Sequence, residues 1–152
     1  MRRWLLLRGV ILSVAALSLA GCATVQPLRT PTGKPEVAIP NVTKKEVIDA
    51  LTNAMLANGY SVKNVTDYSA VYGIRSNSIL AGMLFGSQYD SVPEMRVSYA
   101  IVDSDDGVRV ITALEVITNP GSAFERVMDV SKSNTAQSWQ SMLEQLKASL
   151  AK

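Results

Sequence analysis

MRVSYAIVDSDDGVRVITALEVIT, residues 95–118, sets two runs of alternating apolar residues on either side of a polar centre. Alternation at period two marks a strand with one buried face. Ser104-Asp105-Asp106-Gly107 reads as the hairpin connection, because Asp-Gly favours the primed turns that match strand twist. With Asp106-Gly107 at the turn centre, Tyr99 faces Leu114 and Val97 faces Val116. A four-residue turn shifts that register by two and keeps every residue on its face. Val97, Tyr99, Ile101, Leu114 and Val116 are therefore expected in the core in either register. Arg96 and Glu115 share the outer face, diagonal across the pair, where an ion pair is expected.

The elements around this hairpin follow from local signals. Val42-Thr43-Lys44-Lys45-Glu46-Val47 is a capping box with a hydrophobic staple between Val42 and Val47. Val47, Ile48, Leu51, Ala54 and Met55 continue it as an apolar stripe at helical spacing, and Asn58-Gly59 supplies the stop. A helix over 43–58 is predicted. Tyr60 to Lys63 alternates as a half-buried strand does, and Thr66-Asp67 is a turn. Ser69 to Arg75 is extended, with Ala70, Tyr72 and Ile74 on one face. Asn119-Pro120-Gly121 ends the last long strand. Ser122 to Val130 is ambiguous, with Phe124, Val127 and Met128 placed to make one short helix. Asn134 with Gln137 is read as the cap of a final helix. Its buried stripe is Trp139, Met142, Leu143, Leu146 and Leu150. Helix, antiparallel strands and helix make a small α+β layer of three to five strands, with two helices packed on one face.

The first residues belong to a different object. Arg2, Arg3 and Arg8 precede a short uncharged run, GVILSVAALSLA at 9–20, and Arg8 blocks its extension towards Trp4. A membrane span needs ~20 predominantly apolar residues, so a basic n-region and short h-region read better as a signal peptide. The run ends Leu19-Ala20-Gly21-Cys22, and Cys22 is the chain's single cysteine. This stretch resembles the lipobox of bacterial lipoproteins. The resemblance implies cleavage between Gly21 and Cys22, a diacylglycerol thioether and an acylated amine on Cys22. It also implies that residues 1–21 are removed. Ala23, which is not aspartate, then favours the periplasmic face of the outer membrane over the inner membrane. Residues 22–40 carry Pro27, Pro31, Pro35 and Pro40 and read mostly as a proline-stiffened linker. Val37 to Ile39 is read as an edge strand ahead of Pro40. A single periplasmic domain over 41–152 follows.

The order of elements over roughly 37–151 resembles the helix-grip modules of small outer-membrane lipoproteins, such as the BamC component of the β-barrel assembly machine. The likeness is one of topology and transfers no site residue.

Composition narrows the chemistry. The chain of 152 residues carries a formal net charge of +2. Loss of Arg2, Arg3 and Arg8 with the leader leaves twelve Lys and Arg against thirteen Asp and Glu, a balance of −1. Without a basic cluster there is no electrostatic footprint for nucleic acid. There is no histidine, which removes Ser-His and Cys-His catalysis and the commonest metal ligand. With Cys22 as the only thiol there is no disulfide and no thiolate metal site. Asp103, Asp105 and Asp106 lack the spacing and closing glutamate of a calcium loop. No G-x-S-x-G turn, phosphate-binding glycine loop or converging acid pair is found. An enzyme is therefore not expected, and no cofactor is implied beyond the acyl chains on Cys22.

One stretch asks for a partner. Ser76 to Ser91, SNSILAGMLFGSQYDS, places Ile79, Leu80, Met83, Leu84 and Phe85 between two strands, with Gly82 and Gly86 interspersed. Tucked over the sheet edge, these side chains complete the core. Exposed, they form a contact surface for a partner. The sequence therefore points to a lipid-anchored binding or assembly module of an envelope complex. The alternative is a carrier with an apolar pocket between sheet and helices.

Overall fold

The computed structural model describes residues 28–75 and 92–151. The leader, Gly21, Cys22 and the apolar segment with Ile79, Leu80, Met83, Leu84 and Phe85 lie outside the described residues. In chain order the elements are β1 (Glu36–Pro40), α1 (Lys44–Ala57), β2 (Ser61–Val65) and β3 (Ser69–Arg75). They continue with β4 (Glu94–Ser104), β5 (Gly107–Thr118), β6 (Arg126–Asp129) and α2 (Thr135–Leu150). All strand pairings are antiparallel, in the order β1-β5-β4-β3-β2, with β6 also paired to β5. The fold is α+β as predicted, but the sheet has six strands among the described residues rather than three to five.

Helix α1 forms for the reason its sequence gives. The Thr43 hydroxyl accepts from the Glu46 amide at 3.3 Å, and the Thr43 amide donates to the Glu46 carboxylate at 2.9 Å. Val47, Leu51 and Met55 are buried along one stripe. At the far end the Asn58 amide donates to Ala54 O, and Gly59 takes a φ of 81°, the left-handed conformation a glycine accepts most easily. Helix α2 starts differently from expectation. Asn134 is itself helical (φ −54°, ψ −30°) and makes no side-chain cap bond. The preceding turn continues into the helix instead, with the Ala136 amide donating to Ser133 O at 3.0 Å. Leu143 is fully buried, and Trp139, Met142, Leu146 and Leu150 pack against the core as half-buried side chains.

One face of the sheet carries the core. Val37, Ile39, Ala70, Tyr72, Val97, Tyr99, Ile101, Val108, Val110 and Leu114 are buried with Val47, Leu51, Met55 and Leu143 of the helices. Val116 is buried on the same face of β5. Tyr72 and Tyr99 meet edge to face, with ring centroids 5.9 Å apart. Their hydroxyls are not stranded: Tyr72 Oη lies 2.8 Å from Thr52 Oγ1, and Tyr99 Oη donates to Met55 Sδ at 3.5 Å. Burial, with Tyr72 and Tyr60 nearby, pushes the Tyr99 hydroxyl well above its ordinary pKa.

Of the two registers open to the β4–β5 hairpin, the structure takes the one shifted by two from a turn centred on Asp106-Gly107. Val97 pairs with Leu114, Tyr99 with Thr112 and Ser104 with Gly107, so Asp105-Asp106 form the turn. Neither aspartate has a positive φ, so the turn is not of the primed kind. The shift is by two residues, and the expected core residues keep their face. It places Thr112 rather than Leu114 opposite Tyr99. Thr112 Oγ1 is buried with no hydrogen-bond partner. Burying a hydroxyl without a partner costs free energy that a methyl does not. The near-isosteric Thr112→Val variant is expected to be more stable by about 1 kcal/mol. Chemical denaturation measures this, and a loss of stability would show that the hydroxyl has a partner.

Two open readings are decided at the β5 edge. The strand option for Val37–Ile39 is the one taken, so the sheet begins at Glu36, within the segment read mostly as linker. Residues 126–129 form a strand and not a short helix: β6 pairs with Glu115–Thr118, beyond the stretch of β5 that β1 covers. Between the two, buried Ser131 accepts from the Leu114 amide at 2.9 Å. The Val130 amide donates to Leu114 O at 2.9 Å. The periodicity of Phe124, Val127 and Met128 misleads because this strand is covered on neither face, so no alternation is imposed on it.

Candidate functional site

The opposite edge of the sheet ends at β2, whose five residues are all exposed. Val62 pairs with Tyr72 and Val65 with Ala70, so both valines lie on the helix-covered face of the sheet. They are nevertheless exposed, at the edge of the described sheet. Between their pairings the register slips at Lys63, which makes a bulge. Bulges and lysines are devices that blunt an edge strand against indiscriminate pairing.

Lys63 is directed across β3 to the other face. Its Nζ lies 2.9 Å from Glu94 Oε2, and the Arg96 guanidinium lies 3.3 Å from Glu94 Oε1. Gly73 makes the crossing possible: a Cβ there would stand 2.5 Å from Lys63 Cε and 2.9 Å from Glu94 Oε1. Arg96 therefore pairs with Glu94. It sits directly opposite Glu115 in the ladder, without the ion pair expected from the sequence. Burial pushes the Glu94 carboxyl up, but the hydrogen bonds and charges of Lys63 and Arg96 outweigh it and hold the pKa below the ordinary value. A depressed carboxylate contributes stability above its unfolded pKa of about 4.3 and loses it as pH falls through the folded value. Lys63→Ala leaves burial opposed by Arg96 alone. The acid limb of thermal stability is then expected to begin at a higher pH than in the parent chain. The loss at neutral pH is about 1 kcal/mol, since Lys63 is partly solvated. An unmoved acid limb would remove Lys63 from the account.

Beside β2 an open groove of about 490 Å³ runs between the first turns of α1 and the β2–β3 turn. Ile48, Val65 and Tyr68 give it apolar walls; Lys44, Lys45, Thr66 and Asp67 complete the lining. The turn is held internally. The Thr66 amide donates to Ser69 O at 2.7 Å, and Thr66 Oγ1 accepts from the Ser69 amide at 3.0 Å. On this fixed turn Tyr68 stands 65% exposed. Lys44 Nζ lies 4.3 Å from the centre of its ring and 2.8 Å from Asp103 Oδ2. Lys45 pairs with Asp49 at 2.6 Å. Hydrogen bonds to these carboxylates raise the pKa of both amines. The groove is thus an aromatic and aliphatic surface rimmed by two lysines paired with carboxylates and by the Asp67 carboxylate. Such a surface receives an apolar or aromatic side chain of a partner better than an anion.

The remaining buried charge serves structure. Arg109 pairs with Glu36 at 2.5 Å, and the Glu36 backbone exchanges two hydrogen bonds with the Gln140 amide group. Glu36 thereby ties β1, β5 and α2 together. No cluster of three metal-ligating side chains and no helix long and apolar enough to cross a membrane occurs among the described residues.

Sequence reading did not find the β2 edge as a surface. Val62 was legible as a strand residue, Val65 and Tyr68 fell outside the elements read from the sequence, and the exposure of all three is a tertiary property. Comparison with protein families and with characterised proteins finds no match to this chain.

Proposed function

We propose that the protein is a lipoprotein anchored through Cys22 on the periplasmic face of the outer membrane. Its domain, of helix-grip type, acts as a non-catalytic binding or assembly module of an envelope complex. The membrane part of this reading rests on the leader and on Leu19-Ala20-Gly21-Cys22. The binding part rests on one observation: a bulged strand at the edge of the described sheet, beside a groove into which a hydrogen-bonded turn presents Tyr68. Exposed tyrosine on a fixed backbone gives a large contact area at little entropic cost, as in binding hot spots. The absence of histidine from the chain and the engagement of the buried Glu36 and Glu94 with cations support a role in holding rather than transforming. The carrier alternative finds less support, since Leu51, Met55, Tyr72 and Tyr99 are packed between sheet and helices.

The test is photo-crosslinking in intact cells from position 68, with position 84 in the second candidate segment as its companion. The expected result is an adduct with an envelope protein from at least one of them. Capture of a lipid cargo within a detergent-stable complex would favour the carrier. Capture of nothing from either position would end the binding reading.

A further inference from the structure

The rim opposite β2 holds a second exposed apolar group. Phe124 is 78% exposed, Val127 53% and Met128 48%. Met128 pairs with Val116 and Val127 with Ile117, so the two project to opposite faces of β6, and both are uncovered. The group is therefore a projecting rim and not a face. Three side chains of this size offer on the order of 300 Å², well short of the ~800 Å² per partner of a stable protein interface.

The same rim is where the segment leading from Cys22 joins the fold. Lys34 Nζ lies 3.7 Å from Asp129 Oδ2, and a Cβ on Gly33 would touch Lys132. Thr32 binds the Glu36 carboxylate through its amide and its hydroxyl. The segment 30–36 is thus fastened beside β6. Asp129 is five residues from Phe124, at most about 18 Å along the chain. From Cys22 to Lys34 the chain reaches at most about 43 Å. A lipid on Cys22 therefore leaves this rim within reach of a bilayer surface.

The charge at the rim agrees. Glu125 accepts from the Gly121 amide, and Asp129 is engaged by the Ser131 amide and Lys34. Arg126 and Lys132 are exposed and make no ion pair among the described residues. Cations beside exposed aromatic and aliphatic side chains suit the interface of a bilayer containing anionic lipid. Among the described residues no further strand pairs with the outer backbone groups of β6, which limits the contact to the headgroup region, where water remains.

From these observations we infer that the Phe124–Met128 rim rests on the lipid surface to which the chain is tethered, with Phe124 entering the interface. The inference depends on the Cys22 anchor. A contact this small holds only because the tether supplies a high local concentration of membrane. Its consequence is orientation: the sheet stands with β6 towards the bilayer and the β2 edge with Tyr68 away from it.

The test uses the full acylated chain, reconstituted into vesicles of phosphatidylethanolamine and phosphatidylglycerol. Because acylation blocks the only native thiol, Phe124→Cys accepts a thiol-reactive fluorophore at one place. Asp105→Cys, in the β4–β5 turn, serves as reference, and Tyr68→Cys reports the far edge. Nitroxide lipids labelled near the headgroup should quench position 124 at least about twofold more than 105 or 68. Equal quenching in a chain that floats with the vesicles would overturn this inference alone. A chain that fails to float would overturn the anchor and this inference with it. A protein adduct without a lipid adduct, crosslinked in cells from position 124, would give the rim to a protein and overturn it as well.

Discussion

The Cys22→Ser chain is expected to take up no labelled palmitate in cells and to move from the membrane to the soluble fraction. Each methylene buried in acyl chain contributes ~0.8 kcal/mol, and a single fourteen-carbon chain gives only reversible binding. In the lipoprotein proposed above, several acyl chains on one residue would make attachment stable, and all of them would depend on the thiol. The effect should therefore be close to all or none. The domain itself should be unaffected, because its core, from Val37 to Leu143, contains no cysteine. Identical thermal unfolding of the two forms in detergent would be the matching observation. Equal labelling of both forms would remove the anchor and the membrane reading with it.

Gly107→Ala should give the largest loss of stability among substitutions of the described glycines. A Cβ at 107 would fall on the carbonyl oxygen of Ile39, 2.9 Å from Pro40 Cα and 3.0 Å from the Asn41 nitrogen. All three are backbone atoms, so no side chain can move aside. β1 would have to lift from β5, weakening the Pro40–Gly107 pairing and the 2.8 Å bond from the Asn41 amide to Asp106 O. Overpacking of this kind costs about 3 kcal/mol, a fall in the thermal midpoint on the order of 10 °C. Gly121→Ala is the control. Gly121 has a φ of 80° but open space around it. Its substitution carries only the left-handed penalty of about 1–2 kcal/mol. Were Gly107→Ala no worse than Gly121→Ala, the close approach of β1 would not be a constraint.

Gly107 also shows where the sequence misleads. Beside Asp106 it reads as a turn residue, yet the structure uses it for the backbone of a distant strand. Arg96 and Glu115 were correctly placed on one face, but the nearer carboxylate is Glu94, brought within reach on the same strand. The bulge at Lys63 and the gap in Gly73 that lets Lys63 cross leave no mark in either local pattern. Of the apolar residues at 124–128, the sequence reports hydrophobicity and nothing of their exposure.

What the sequence determined alone was whatever depends on neighbours along the chain. The capping box of α1, its stop at Asn58-Gly59, and the alternation of β4 and β5 fix element type and buried face, because 3.6- and 2-residue periods are set by local stereochemistry. The lipobox resemblance is local in the same way. Tertiary structure decided the hairpin register, the composite β5 edge made of β1, Ser131 and β6, and the exposure of Tyr68 and Phe124. These depend on which distant backbone arrives at a given place and which side chains it leaves uncovered, and no short-range pattern encodes either.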